Sequence, residues 1–203
     1  VALYGSSNIA RMKTVYRCGL GHRYGRLMQA IAGIHYNWSM PDAFWNDAWR
    51  DAGSPGSRAD YITDRYLGLI RNFRRYSWLL IYLFGASPAV CSSFLKGRDN
   101  HGLQPFDERG RSLYQPYGTA LRMGGLGYNS EAQKGLNICY NSLDNYVHTL
   151  RSAILQPHPP YADIPTGQGN NYQQLSDSLL QIENEFYSPI RPKRVAESGE
   201  TAL

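Results

Sequence analysis

His35 lies in the run Gln29–Trp38, QAIAGIHYNW, whose residue types alternate. Read as a β-strand, the run places Gln29, Ile31, Gly33, His35 and Asn37 on one face. Ala30, Ala32, Ile34, Tyr36 and Trp38 fall on the other, which is apolar and aromatic throughout. A sheet that buries one side and offers Gln, His and Asn on the other makes a floor for a polar ligand or a metal. A solvated sheet face, with His35 a hydrogen-bonded structural residue, accounts for the same pattern. Glu183 and Glu185, two apart in LLQIENEFY, share a strand face and supply the hard oxygen donors that Mg²⁺ prefers. Solvated carboxylates explain that spacing equally. Arg17 and Arg122 are candidate anion clamps, because guanidinium holds carboxylate or phosphate through two parallel hydrogen bonds.

Other motifs carry less. Gly124-Gly125-Leu126-Gly127 lacks the Lys-Ser/Thr of a phosphate loop and reads as a turn. Arg191-Pro192-Lys193-Arg194 suits a phosphate-facing loop, a nucleic-acid patch or plain solubility. Cys91 has no activating neighbour in sequence and reads as a packing residue. Neither a serine-hydrolase elbow nor a dinucleotide-binding fingerprint is present.

Elements must position these groups. Ser6, Ser7 and Asn8 are N-cap candidates for a helix running towards Leu20, with Tyr16 and Leu20 on one face and Arg17 beside them. Gly19, Gly21 and Gly25 are expected to loosen it before a strand begins near Leu27. Met40–Pro55 reads as irregular, followed by a GSPGS turn. From Asp60, Ile62, Tyr66, Leu69, Ile70 and Phe73 recur at helical spacing into the apolar run Trp78–Phe84, which Gly85 and Pro88 stop. Leu95–Gln115 reads as a polar excursion, and Tyr117–Tyr128 as a short strand with a glycine-rich turn. A helix capped by Ser142 or Asp144 turns Leu143, Tyr146, Val147, Leu150 and Ile154 inward and ends by Pro157. Leu179–Tyr187 reads as a second alternating strand, with Leu180, Ile182 and Phe186 opposite Gln181, Glu183, Glu185 and Tyr187. Helices mixed with alternating strands, and no βαβ rhythm, indicate an α+β fold with an antiparallel sheet.

The 203 residues suffice for a sizeable core, and 42% hydrophobic against 18% charged content places the chain among folded proteins. Its net charge of +5 comes with a surplus of Arg over Lys, which suits anionic partners. Three cysteines (Cys18, Cys91 and Cys139) have no close pairing and argue for a reducing, cytoplasmic compartment. The apolar run Trp78–Phe84 is too short to span a membrane. The sequon Asn37-Trp38-Ser39 is then accidental.

Five blocks go further: YGSSN with MKTVYRCGLGHRYGRLMQAIAGIHYNWS (Tyr4–Asn8 and Met12–Ser39), FGASPAVCSSF (Phe84–Phe94), LRMGGLGY (Leu121–Tyr128) and LQIENEFYSPIRPKR (Leu180–Arg194). In this order they closely resemble the proteobacterial type of glutamate–cysteine ligase (γ-glutamylcysteine synthetase). The resemblance covers this whole chain but well under half of the family's length, from its middle. It implies that residues 1–203 are the central part of a single catalytic domain, truncated at both ends. The implied fold is like that of glutamine synthetase: an antiparallel sheet curved into a saddle with outer helices, only partly represented here. The implied reaction, the first step of glutathione biosynthesis, uses ATP to phosphorylate the γ-carboxylate of L-glutamate. The L-cysteine amine then displaces phosphate, with Mg²⁺ as cofactor.

By the same resemblance His35 and Glu185 are metal ligands, and Arg17 and Arg122 the catalytic carboxylate and phosphate clamps. Tyr16, Leu20, Gln29, Ile31, Tyr128 and Tyr187 form the substrate pocket, largely around cysteine. The family's main metal-binding carboxylates fall outside this stretch, so the piece alone is expected to be inactive. Nucleic acid and membrane are not expected partners, and the protein is expected to be a monomer. A basic RNA-binding module and an inert, truncated ligase copy are the rival readings.

Overall fold

The computed structural model describes residues 3–30, 35–85, 87–96, 101–121, 131–167 and 171–193. Five helices carry most of the regular structure: α1 (Asn8–Tyr24), α2 (Asp42–Asp51), α3 (Arg58–Phe84), α4 (Glu131–Lys134) and α5 (Leu143–Leu155). Three short strands, β1 (Ala89–Cys91), β2 (Gln104–Pro105) and β3 (Ser112–Tyr114), form an antiparallel sheet in the order β1-β3-β2. Its register pairs Val90 and Pro105 with Leu113 from either side.

The helix boundaries follow from capping. The Ser7 hydroxyl accepts from the Ala10 amide, Ser57 from Asp60 and Ser142 from Asn145, each satisfying a first-turn donor that the helix cannot. Helix α3 therefore starts at Arg58, with Asp60 in its first turn, and Gly85 closes it. Helix α1 runs past Leu20 to Tyr24, with Gly19 and Gly21 inside it; it stops at Gly25, whose φ of 91° suits glycine.

Two hydrophobic clusters fix the helices to the C-terminal segment. Leu150 and Ala153 of α5 pack with Leu179, Leu180 and Phe186, and Leu180 is wholly buried. Leu67 and Ile70 of α3 pack with Tyr140. Ile138 and Tyr146 touch both clusters, so α3, α5 and residues 179–190 share one apolar layer.

Several sequence expectations are corrected. The expected strand Gln29–Trp38 is not one in its described part. Arg26–Ala30 form a 3-10 turn folded back on α1, and residues 35–40 have no regular structure. Residues 31–34, Ile31 among them, lie outside the described residues. Of the apolar face, Tyr36 and Trp38 are exposed, and neither pairs with a strand among the described residues. Leu179–Tyr187 is likewise not a strand but a looped segment with a 3-10 turn at Glu183–Glu185. It is anchored at Ser178 by one antiparallel bridge to Pro157.

Met40–Pro55, expected to be irregular, contains α2, because Trp45 finds the Tyr66 ring at 4.9 Å and is buried there. The polar excursion Leu95–Gln115 carries β2 and β3, turned by Asp107, whose carboxylate accepts from the Arg109, Arg111 and Ser112 amides. Cys91, expected to pack, is exposed on β1. Of the expected strand and turn Tyr117–Tyr128, Ala120 bridges Ser87, and residues 122–128 lie outside the described residues.

Candidate active site

Helix α1 presents Tyr16, Leu20 and Tyr24 at four-residue spacing, hence on one face. Leu20 and Tyr24 are buried and Tyr16 is half-buried. The half-buried Arg17 guanidinium lies 6.0 Å from the Tyr16 ring centre, at the outer reach of a cation–π contact. Gln29, in the turn after α1, donates from Nε2 to the Arg17 carbonyl at 3.0 Å. The structure thus brings Tyr16, Arg17, Leu20 and Gln29 into one neighbourhood.

The C-terminal segment docks on this same helix. Its Gln181 side chain is buried against Gly19, where no Cβ stands in the way, and donates to the Tyr16 carbonyl at 3.5 Å. Four residues on, Glu185 is buried and accepts from Arg23 Nη1 at 3.0 Å and Tyr24 Oη at 2.8 Å. Its second oxygen accepts from the Gln181 amide at 2.7 Å. Tyr187, half-buried, follows directly, and its amide donates to Gln133 Oε1 at 3.1 Å.

Arg23 is the centre of this arrangement. Its Nε and Nη2 donate to Gln174 Oε1 at 3.1 and 2.9 Å, Nη2 donates to the Ser176 carbonyl at 2.6 Å, and the guanidinium sits 4.2 Å from the Tyr161 ring centre. Fully buried Gln174 is held in turn by the Tyr161 and Ile164 carbonyls. A buried charge is tolerated only when so surrounded. Burial, then the adjacent Glu185 charge, push the Tyr24 phenol far above its ordinary ionisation range, so it stays a neutral donor.

Glu185, expected to bind Mg²⁺, has both oxygens engaged by protein donors, and Glu183 is exposed, so the two carboxylates do not converge. His35 is exposed in an irregular segment. Among the described residues no three of His, Cys, Asp or Glu gather as a cation site requires. The described donors therefore do not make a magnesium site by themselves. Arg122 and Tyr128 lie outside the described residues.

Sequence reasoning missed Gln133, Gln174 and the pairing of Arg23. Nothing local signalled the pairing, because Glu185 stands among Gln181, Glu183 and Asn184 and reads as part of a polar face. Arg191, noted as part of a basic loop, donates to the Asn184 and Phe186 carbonyls and braces the turn that carries Glu185. No helix among the described residues is long and apolar enough to cross a membrane.

Known proteins share the whole stretch. The chain is 58% identical to a glutamate–cysteine ligase of Saccharophagus degradans, over 100% of this chain and 38% of that protein. It is also 58% identical to one of Alcanivorax borkumensis, over 98% of this chain and 38% of that protein. The fold superposes on the crystal structure of glutamate–cysteine ligase from Francisella tularensis in complex with AMP, with a TM-score of 0.84 and 40% identity. That match covers 99% of this chain and 38% of the other. The chain thus spans 38% of the length of these relatives. A family model, glutamate-cysteine ligase, matches residues 1–203, and the chain therefore belongs to the glutamate–cysteine ligase family.

Proposed function

We propose that this chain supplies the α1 face and the Tyr187 segment of an ATP-dependent ligase that joins L-glutamate to L-cysteine. Family membership over residues 1–203, with 58% identity to curated ligases, carries the reading. In this reaction the γ-phosphoryl group of ATP passes to the γ-carboxylate of glutamate. The cysteine amine attacks the acyl carbon, and the C–N bond forms as the acyl C–O bond to phosphate breaks. Phosphate leaves with that bond's electron pair, and the amine gives up a proton. The products are γ-glutamylcysteine, ADP and phosphate.

Arg17 is suited to hold one of these anions, being cationic and at the solvent boundary beside Tyr16. We assign Arg122 the same class of role. Tyr16, Leu20, Gln29, Ile31, Tyr128 and Tyr187 are assigned to the substrate pocket. We further propose that residues 1–203 are the central part of one catalytic domain. Its complete sheet would be the glutamine-synthetase-like saddle, to which this stretch adds mostly helices. Mg²⁺, which assists phosphoryl transfer by neutralising charge on the phosphates, would need carboxylates beyond these residues, with His35 as a single donor. The cytoplasm suits the free thiols of Cys18, Cys91 and Cys139.

The RNA-binding reading has less support. Arg23 is buried against Glu185, so its charge is spent inside the protein.

A phosphate-release assay on the full-length reading frame tests the proposal, with ATP, Mg²⁺ and glutamate, with and without cysteine, beside His35→Ala. Cysteine-dependent release that falls in the variant is expected. An intact, folded parent that releases no phosphate would overturn it and leave an inert copy.

A further inference from the structure

Gln133 is buried at 5% exposure on the short helix α4, yet it is not part of an apolar cluster. Its amide faces three groups from two distant parts of the chain. Nε2 donates to Tyr24 Oη at 3.0 Å and to the Glu185 carbonyl at 3.2 Å, while Oε1 accepts from the Tyr187 amide at 3.1 Å. Two donors and an acceptor on one planar group are what a primary amide offers and a hydrocarbon of equal size does not. The Tyr24 hydroxyl passes the connection on by donating to Glu185 Oε1 at 2.8 Å.

We propose that Gln133 is a positioning residue that sets the spacing between the α1 face bearing Tyr16 and Leu20 and the segment bearing Tyr187, and thereby the affinity for the amino-acid acceptor. The inference rests on the proposed function, which assigns those three residues to the substrate pocket. Tyr24 shares the helix face of Leu20 and Tyr16, so displacement of its ring is transmitted along a rigid helix. The Tyr187 backbone amide donates to the Gln133 oxygen, so the position of the main chain that carries this ring depends on Gln133. No part of this requires Gln133 to touch substrate.

The test uses the full-length reading frame with Gln133→Met, of similar size but without the amide, and Tyr24→Phe, which removes only the hydroxyl. Steady-state phosphate release gives kcat and KM for cysteine, glutamate and ATP. Hydrogen exchange follows residues 16–24 and 184–188. In Gln133→Met, the cysteine KM is expected to rise by about ten- to a hundredfold, with the ATP KM within about twofold. Both segments are expected to gain exchange together, and Tyr24→Phe should shift both readouts in the same direction by less.

An unchanged cysteine KM in folded Gln133→Met would overturn the inference. So would a loss of kcat in step with the unfolded fraction, with every KM unmoved. Should Gln133→Met fail to fold, Tyr24→Phe decides on the same split. Should the unsubstituted parent release no phosphate, the functional reading fails, and exchange alone decides the node. A joint gain in both segments supports it, and a gain confined to one overturns it.

Discussion

Arg23 on α1 and Glu185 in the C-terminal segment meet at 3.0 Å with both side chains wholly withdrawn from solvent. The two residues stand 162 positions apart in the sequence. Desolvating two ions costs several kcal/mol each, and only the surrounding donors and acceptors offset it. The pair thus specifies where α1 docks more than it adds to stability.

Glu185→Gln is therefore expected to cost about 3–5 kcal/mol, because it leaves the Arg23 cation buried and uncompensated. Arg23→Met combined with Glu185→Met should cost less than the two single changes added together, with a coupling of about 0.5–3 kcal/mol. Denaturant unfolding of the four proteins measures it. Additive losses would mean that the two charges do not act as a unit.

Gly19→Ala sets two effects against each other. Alanine gains about 1 kcal/mol over glycine in a helix interior. The new Cβ, however, would stand 2.7 Å from Gln181 Cδ, whose amide is bonded to the Leu175 amide and the Tyr16 carbonyl. Overpacking of that kind costs about 1–3 kcal/mol, so net destabilisation is expected. Chemical denaturation reports the sign, and a stabilised variant would show that Gln181 can move aside.

How much of this was legible follows from what each pattern can express. The extents of helices α3 and α5 were readable because apolar period and terminating residue agree. Their faces were less so: Leu143 and Val147, expected to turn inward, and Leu69 of the α3 repeat are exposed, and the cap of α3 is Ser57. The run Gln29–Trp38 misled, because alternation defines a strand only if a partner strand exists, and none pairs with it among the described residues. The segment Leu179–Tyr187 misled for a different reason. Gln181 and Glu185 look like a solvated face, and no local pattern reveals that an arginine far upstream lets them be buried. The neighbourhood of Tyr16, Arg17, Leu20 and Gln29 was named from the resemblance, whereas Gln133 carried no signal at all.

The turn between β2 and β3 should respond to acid. Backbone amides of Ser112 and Arg111, in that order of effect, hold the Asp107 carboxyl below its ordinary value of 3.8. A depressed folded value means that the stabilisation is complete above the unfolded pKa and is lost as pH falls through the folded one. Amide exchange at Ser112 is expected to accelerate only below about pH 3.8. Asp107→Ala should show the fast rate at all pH values.

Alkali addresses Tyr146, between the two apolar clusters. Burial, then the neighbouring Tyr140, push its phenol up to about 12. Its neutral form is thus favoured in the fold, so stability is unaffected below the unfolded value of 10.0 and falls as pH rises from there towards 12. Ultraviolet titration should find a late-ionising tyrosine that Tyr146→Phe removes. The same late step in the variant would assign it elsewhere.

The outer half of α3 exposes a run of large apolar side chains. Trp78 is 62% and Phe84 75% exposed, with Leu79, Leu80, Tyr82 and Leu83 also uncovered. A monomer seldom presents so many together, and such patches associate. Residues 1–203 prepared alone are therefore expected to sediment heavier than 22.9 kDa. Trp78→Ser with Phe84→Ser should shift the distribution towards the single chain while leaving helix content unchanged, since both side chains are exposed and neither belongs to the cluster of Leu67, Ile70 and Tyr140. A single species of 22.9 kDa before substitution would show that the face tolerates water. Persistent association after it would place the contact elsewhere, for which the exposed edge of β2 is the next candidate.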